Sequence, residues 1–167
     1  MTGTIVQVNI SRGGIPKRAI AVGQLTPDGI EGDAWAHPNI HGGPRQAVLL
    51  IASEAIEELR NAGFAVYPGA LGENLTTSGI DPARWRVGQT FRVGRATIEL
   101  TKVRAPCLTL DIFNAGGLSI QKAIYDKQVK AGDATSPLWG KSGFYASVVR
   151  PGAVRPNDII TLIDQAV

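Results

Sequence analysis

The chain has 167 residues, of which 44% are hydrophobic and 19% charged, and its 17 Lys and Arg against 14 Asp and Glu leave a formal net charge of +3. That length suits one domain able to bury a real core, and the balance of apolar and charged residues excludes a disordered chain. The mild basicity never gathers into a run (Arg12, Lys17 and Arg18 come closest) and the 3 Trp, 3 Tyr and 4 Phe do not interleave with it, so no nucleic-acid partner is expected and an anionic small molecule fits the charge as well.

Val6, Val8 and Ile10 alternate with polar neighbours as a first strand, broken by Arg12-Gly13-Gly14. Ala19-Ile20-Ala21-Val22 reads as a short second strand, and Pro27-Asp28-Gly29 as a turn. From Ile30-Glu31-Gly32-Asp33 to His41-Gly42-Gly43-Pro44 few residues could enter a core. A loop of that length in a compact chain points to function. Ala47 to Ala52 is a continuous apolar run, short enough for a buried strand. Ser53 is placed to cap a following helix whose apolar face holds Ile56 and Leu59 and which Gly63 ends. A second glycine-rich loop, Pro68-Gly69-Ala70-Leu71-Gly72-Glu73-Asn74-Leu75, carries a carboxylate and an amide.

Gln89 to Val93 and Ala96 to Val103 form a hairpin across Gly94-Arg95. Leu118 to Ala131 reads as a second helix stopped by Gly132; Gly143 to Val149 and Asp158 to Ile163 are the last strands. Twenty glycines and ten prolines are scattered along the chain as punctuation, with no repeat. The expected fold is mainly β: a closed or partly closed antiparallel β-barrel with two or three short helices, in a single domain over residues 1–167. The N-terminus lacks the basic start and apolar stretch of a signal peptide, no stretch approaches a membrane span, and a single cysteine makes no intrachain disulfide. A cytoplasmic protein without membrane association is expected.

That cysteine, Cys107, follows Pro106 and stands three residues after Arg104, where the second strand of the hairpin should give out because proline cannot donate to a ladder. Two readings are open from position alone. An arginine nearby favours the thiolate, which attacks electrophiles or binds a soft metal; a free cysteine is also a common small buried hydrophobe. His41 is a candidate ligand contact or acid–base group, and Gly42 and Gly43 could aim amides at an anion, although His-Gly-Gly is also an ordinary tight turn. Asp33 could orient a ligand or ring nitrogen, or simply make a turn after Gly32. Glu73-Asn74 offers an acceptor and an amide, or a polar start to the strand at Leu75. Trp85, Trp139 and Phe144-Tyr145 read as core or rim packing. One Cys and two His cannot build a cysteine-rich zinc site, and no phosphate-binding loop, nucleophile elbow or dinucleotide fingerprint is present. A papain-like pairing of Cys107 with His41 or His37 requires a distance that sequence does not give.

Taken in order, Gly32-Asp33, His41-Gly42-Gly43 with Ala47-Val48, Pro68-Gly69, Gly72-Glu73-Asn74-Leu75, Val87-Gly88, Val93-Gly94, Arg104-Ala105-Pro106-Cys107, and Gly143-Phe144-Tyr145 running to Pro151-Gly152 resemble the MOSC domain, the C-terminal domain of molybdenum cofactor sulfurases, in its small stand-alone bacterial form. Each piece is unspecific, while the ordered set covers nearly the whole chain. Asn157-Asp158 stands where the family usually has Gly-Asp, and the extra domains of some longer members have no counterpart in these residues. The resemblance implies a β-barrel-like fold and binding of the pterin-based molybdenum cofactor (molybdopterin). It implies that Cys107 is the thiolate ligand of molybdenum in an oxidoreductase reducing N-hydroxylated compounds, served by a separate electron-donor protein. Alternatively, Cys107 carries sulfur as a persulfide, or the protein hands the cofactor on, without redox catalysis of its own. The cofactor phosphate would lie against the backbone at Gly42, Gly43 and Gly72 and a basic residue such as Arg45 or Arg104. A plain binding barrel with an inert Cys107 is the reading from another class.

Overall fold

Alternation of apolar residues produces the longer strands, and glycine and proline end them. The computed structural model describes residues 1–34 and 42–165. Its elements in chain order are β1 (Thr2–Ile10), β2 (Arg18–Ile20), β3 (Gly23–Thr26), β4 (Gly29–Ile30), β5 (Val48–Ala52), α1 (Ser53–Asn61), β6 (Leu75–Ser78), β7 (Thr90–Val93), β8 (Ala96–Val103), α2 (Ile120–Ile124), α3 (Lys127–Lys130), β9 (Phe144–Arg150), β10 (Gly152–Val154) and β11 (Ile159–Asp164). Three 3-10 turns accompany them, the longest over Leu108–Phe113.

Strands follow one another in the order β11-β7-β8-β9-β5-β6-β1, and β1 pairs back onto β11 through Thr2 to Thr4. The result is a closed seven-stranded barrel, with β2 appended to β1 and a separate small sheet β10-β3-β4. Every neighbouring pair in the barrel is antiparallel except β5 and β6, which run parallel. The closed antiparallel barrel is thus present as expected, with this one parallel pair inside it. A parallel pair needs a long crossover, which α1 and the 64–74 loop supply.

The unbroken apolar run of β5 is explained by burial on both faces. Val48, Leu50 and Ala52 point into the barrel with Phe144, Ala146 and Val148 of β9. Leu49 and Ile51 point outward into a second core made with Ile56 and Leu59 of α1, Phe64, Val66, Leu71, and Ile120 and Ile124 of α2. Inside the barrel, Phe144 meets Trp85 and Trp139 edge-on at centroid distances of 5.8 and 5.7 Å, so these three rings are core as expected. Tyr145, the next residue on β9, necessarily faces the other way and joins the outer layer.

Other local expectations change for identifiable reasons. The single helix from Leu118 to Ala131 is two short ones, because Tyr125 is extended and Asp126 caps α3: its Oδ1 accepts from the Val129 amide at 2.8 Å and its Oδ2 from the Ser136 hydroxyl at 2.9 Å. A carboxylate satisfied both at the start of α3 and by Ser136 beyond it outweighs continuity of a modest apolar face. Ser53 is the first residue of α1, Ala52 occupies the cap position without a side-chain bond, and Glu54 instead ties the helix start to the Gly79 amide at 2.8 Å. The strand expected at Ala19–Val22 stops at Ile20; Ala21 and Val22 connect β2 to β3, which belongs to a different sheet. Asn157 is the only non-glycine residue with positive φ (72°) among the described residues, which accounts for a glycine in the usual pattern and for asparagine as its substitute.

Gly143 brings β9 to the end of β8. Its φ is +90°, a Cβ there would lie 2.3 Å from the Leu50 carbonyl oxygen, and its own carbonyl accepts the Arg104 amide at 2.9 Å. Gly143→Ala is expected to cost about 2–3 kcal/mol through backbone strain and overpacking. Thermal unfolding checks it; an unchanged Tm would contradict this placement.

Candidate functional site

The segment after β8 is held by its backbone before its side chains are considered. The Arg104 amide donates to Gly143, and the Arg104 carbonyl accepts from the Ser142 hydroxyl at 2.7 Å. Pro106 then turns the chain outward, and the Leu110 amide closes on the Cys107 carbonyl at 3.1 Å to start the 3-10 turn. Cys107 is consequently half-buried, not sealed in the core. Its Sγ lies 2.7 Å from Thr109 Oγ1, and it opens onto a cavity of about 100 Å³ that Arg104, Leu71, Gly72, Asn74 and Tyr145 also line.

Arg104 is buried at 5% exposure. Nη2 donates to the Leu71 carbonyl at 2.9 Å, whereas Nη1 has no partner. Burial pulls the guanidinium below its ordinary range, and the nearby Tyr145, Cys107 and Glu73 each work in the opposite direction. Burial pushes the Tyr145 phenol upward; Arg104 pulls it back, while Cys107 adds to the rise. The positive charge expected beside the cysteine is present, with Nη2 bound to the loop at Leu71 and Nη1 unpartnered.

The Glu73-Asn74 pair serves the scaffold. Glu73 is fully buried, and its Oε1 accepts from the Gly69 amide at 2.5 Å and the Thr76 hydroxyl at 2.9 Å, while Oε2 has no partner. Asn74 donates to the Asn9 carbonyl at 3.2 Å and to Asp33 at 2.8 Å and accepts from the Leu49 amide at 3.1 Å, stitching β1, Asp33 and β5 together. Burial raises the Glu73 carboxyl above the ordinary glutamate range. A raised folded-state value stabilises the fold at acid pH, and that contribution is lost as pH climbs through it. Glu73→Gln removes the ionisation. Its Tm relative to the parent is therefore expected to move in the variant's favour as pH rises from the ordinary glutamate range through the raised folded-state value. A pH-independent difference in thermal scans would refute the buried titration.

Asp33 is engaged by its own scaffold. Both of its oxygens accept from Lys17 Nζ, at 2.6 and 2.5 Å, and it also accepts from the Ser11 amide at 2.8 Å and from Asn74. The ion pair is buried, with side-chain exposures of 8% and 3%. Gly42 and Gly43 have positive φ (96° and 88°), yet neither lines the cavity, nor does the exposed Arg45. Gly72 does line it, but its amide already donates to Gly69 at 3.2 Å. His41 and His37 lie outside the described residues. The fold thus gathers Cys107, Arg104, Gly72 and Asn74 around one cavity, with Glu73 and Asp33 behind it. Sequence reasoning missed Lys17 and Tyr145 as lining residues. For Tyr145 the alternation of β9 was the available signal, since core residues at 144, 146 and 148 send 145 outward.

Among the described residues no group of three or more His, Cys, Asp or Glu is arranged to hold a metal ion unaided, and no helix is long and apolar enough to cross a membrane.

Known proteins resemble this chain in sequence and in fold. Protein YiiM of Escherichia coli (strain K12) is 31% identical over 146 residues, covering 84% of this chain and 59% of YiiM. The uncharacterized protein YflK of Bacillus subtilis (strain 168) is 29% identical over 156 residues, covering 91% of this chain and 64% of YflK. The chain therefore spans about three-fifths of the length of these curated relatives. The crystal structure of YiiM from Geobacillus stearothermophilus superposes with a TM-score of 0.74 at 22% identity, covering 99% of this chain and 77% of that one. At that identity the likeness speaks to the fold. The family model described as the MOSC domain matches residues 37–161. The chain belongs to the MOSC domain family.

Proposed function

We propose that the protein binds the pterin-based molybdenum cofactor at the Cys107 cavity and reduces N-hydroxylated small molecules, with electrons delivered by a separate donor protein. The observation that carries this reading is a half-buried thiol opening onto the same cavity as a buried guanidinium whose Nη1 has no partner. These residues fit the group. A thiolate is a soft ligand suited to such a metal, and an unpaired buried arginine donor suits an anionic substituent. A metal brought in by its own organic cofactor also needs no protein cage. Cys107 would hold the metal, and Arg104 an anionic part of the cofactor. The charge of Lys17 is committed to Asp33, so it steadies the wall. Bound there, the cofactor supplies the two-electron redox step; the protein supplies orientation and fixed charge. A free thiol of this kind suits the reducing cytoplasm.

The test is expression in a host able to make the cofactor, followed by metal analysis and reduction of an N-hydroxylated amidine with a chemical reductant. Near-equal molybdenum per chain together with turnover supports the reading, and a metal-free, inactive protein sinks it. One observation favours a second reading: Thr109 Oγ1 stands 2.7 Å from Sγ, where it could donate to a persulfide carried as cargo. An extra sulfur on Cys107 by mass spectrometry, without molybdenum, would select it.

A further inference from the structure

We infer that the Tyr145 hydroxyl is the proton donor to the oxygen that leaves when the N–O bond breaks, a role that rests on the proposed reductase function. Reduction of R–NH–OH to R–NH2 and water takes up two electrons and two protons. The electrons reach the substrate from the reduced cofactor, which the donor protein recharges. The N–O pair leaves with the oxygen, which departs as hydroxide unless a proton meets it, and the nitrogen, which gains the two electrons, takes the second proton from solvent.

Among the described residues that line the cavity, Tyr145 is the acid whose proton is not engaged elsewhere, the Lys17 ammonium being tied to both Asp33 oxygens. Glu73 is turned away, its Oε1 engaged by Gly69 and Thr76. Asp33 is held by Lys17, Ser11 and Asn74, and Asn74 itself is fully committed. Thr109 is a far weaker acid than a phenol. Tyr145 lines the cavity with Cys107, its neighbours on β9 fix its direction, and the charges of Arg104 and Cys107 both reach it. The phenol stays protonated through the neutral range, and transfer from a phenol (ordinary pKa ~10) to an oxygen whose conjugate acid is water (~16) is downhill. Arg104 then faces the tyrosinate until solvent reprotonates it.

Tyr145→Phe in the cofactor-loaded protein is expected to lower kcat on the N-hydroxy substrate about 10²–10³-fold, with molybdenum content and Tm retained. On an O-acylated analogue, whose carboxylate leaves without protonation, the same variant should keep most of the parent rate. Equal losses on both substrates, or none on either, overturn the acid role. A parent that binds no molybdenum and turns over neither substrate removes the reductase reading, and the acid role with it. An absorbance titration of the cofactor-free protein gives a readout apart from activity. The tyrosine transition absent from Tyr145→Phe should rise in Arg104→Met and stay near the parent in Arg104→Lys. A transition indifferent to residue 104 would place the hydroxyl away from the guanidinium and overturn the inference.

Discussion

Cys107→Ser is expected to abolish reduction, by about 10³-fold or more, while leaving the fold in place. Both halves follow from where the sulfur sits. Cys107 is half-buried at the mouth of a cavity and makes its side-chain contact with Thr109, itself exposed. Serine keeps that polar contact and opens no core void, so stability should change by less than about 0.5 kcal/mol and Tm by about a degree or two. Molybdenum retention should fall with activity, since an alcohol is a poor soft-metal ligand at neutral pH. A variant that unfolds far below the parent would return Cys107 to the small-hydrophobe reading left open by the sequence.

Lys17→Met should produce the largest loss of stability near the site. Removing the cation leaves Asp33 buried beside the Ser11 amide and Asn74, and breaking one partner of a buried pair costs about 3–5 kcal/mol. The double variant Lys17→Met/Asp33→Leu should recover much of that loss, because the penalty belongs to the uncompensated charge. Chemical denaturation of the two variants and the parent checks this. A single variant as stable as the parent would mean that the pair is open to water, against the exposures of 8% and 3%. The substitution should also loosen the cavity wall, since Asp33 joins Ser11 of the β1–β2 connection to Asn74.

Much of the barrel was legible because its cues are local. The Gly94-Arg95 hairpin, the buried run of β5 and the end of β8 before Pro106 each depend on neighbouring residues. The parallel pairing of β5 with β6 was not legible, since the choice of sheet neighbour is made by long-range closure. The break at Tyr125-Asp126 was hidden for a related reason: Asp126 reaches Ser136 as well as its own helix. At the site, the resemblance gave Cys107, Arg104 and Gly72 their expected parts, while the residues alone did not separate cavity lining from supporting wall. Asp33 and Asn74 look like ligand contacts in a list of polar loop residues. Only burial and hydrogen-bond partners show that they hold the wall, and that Lys17, unremarkable in sequence, is the cation that makes a buried Asp33 tolerable.

Molybdenum-edge X-ray absorption on cofactor-loaded protein tests the central claim most directly. The parent should show one more sulfur scatterer at molybdenum than Cys107→Ser with the same cofactor content. Identical sulfur coordination in the two proteins would mean that Cys107 does not ligate the metal, and the proposed centre would not stand.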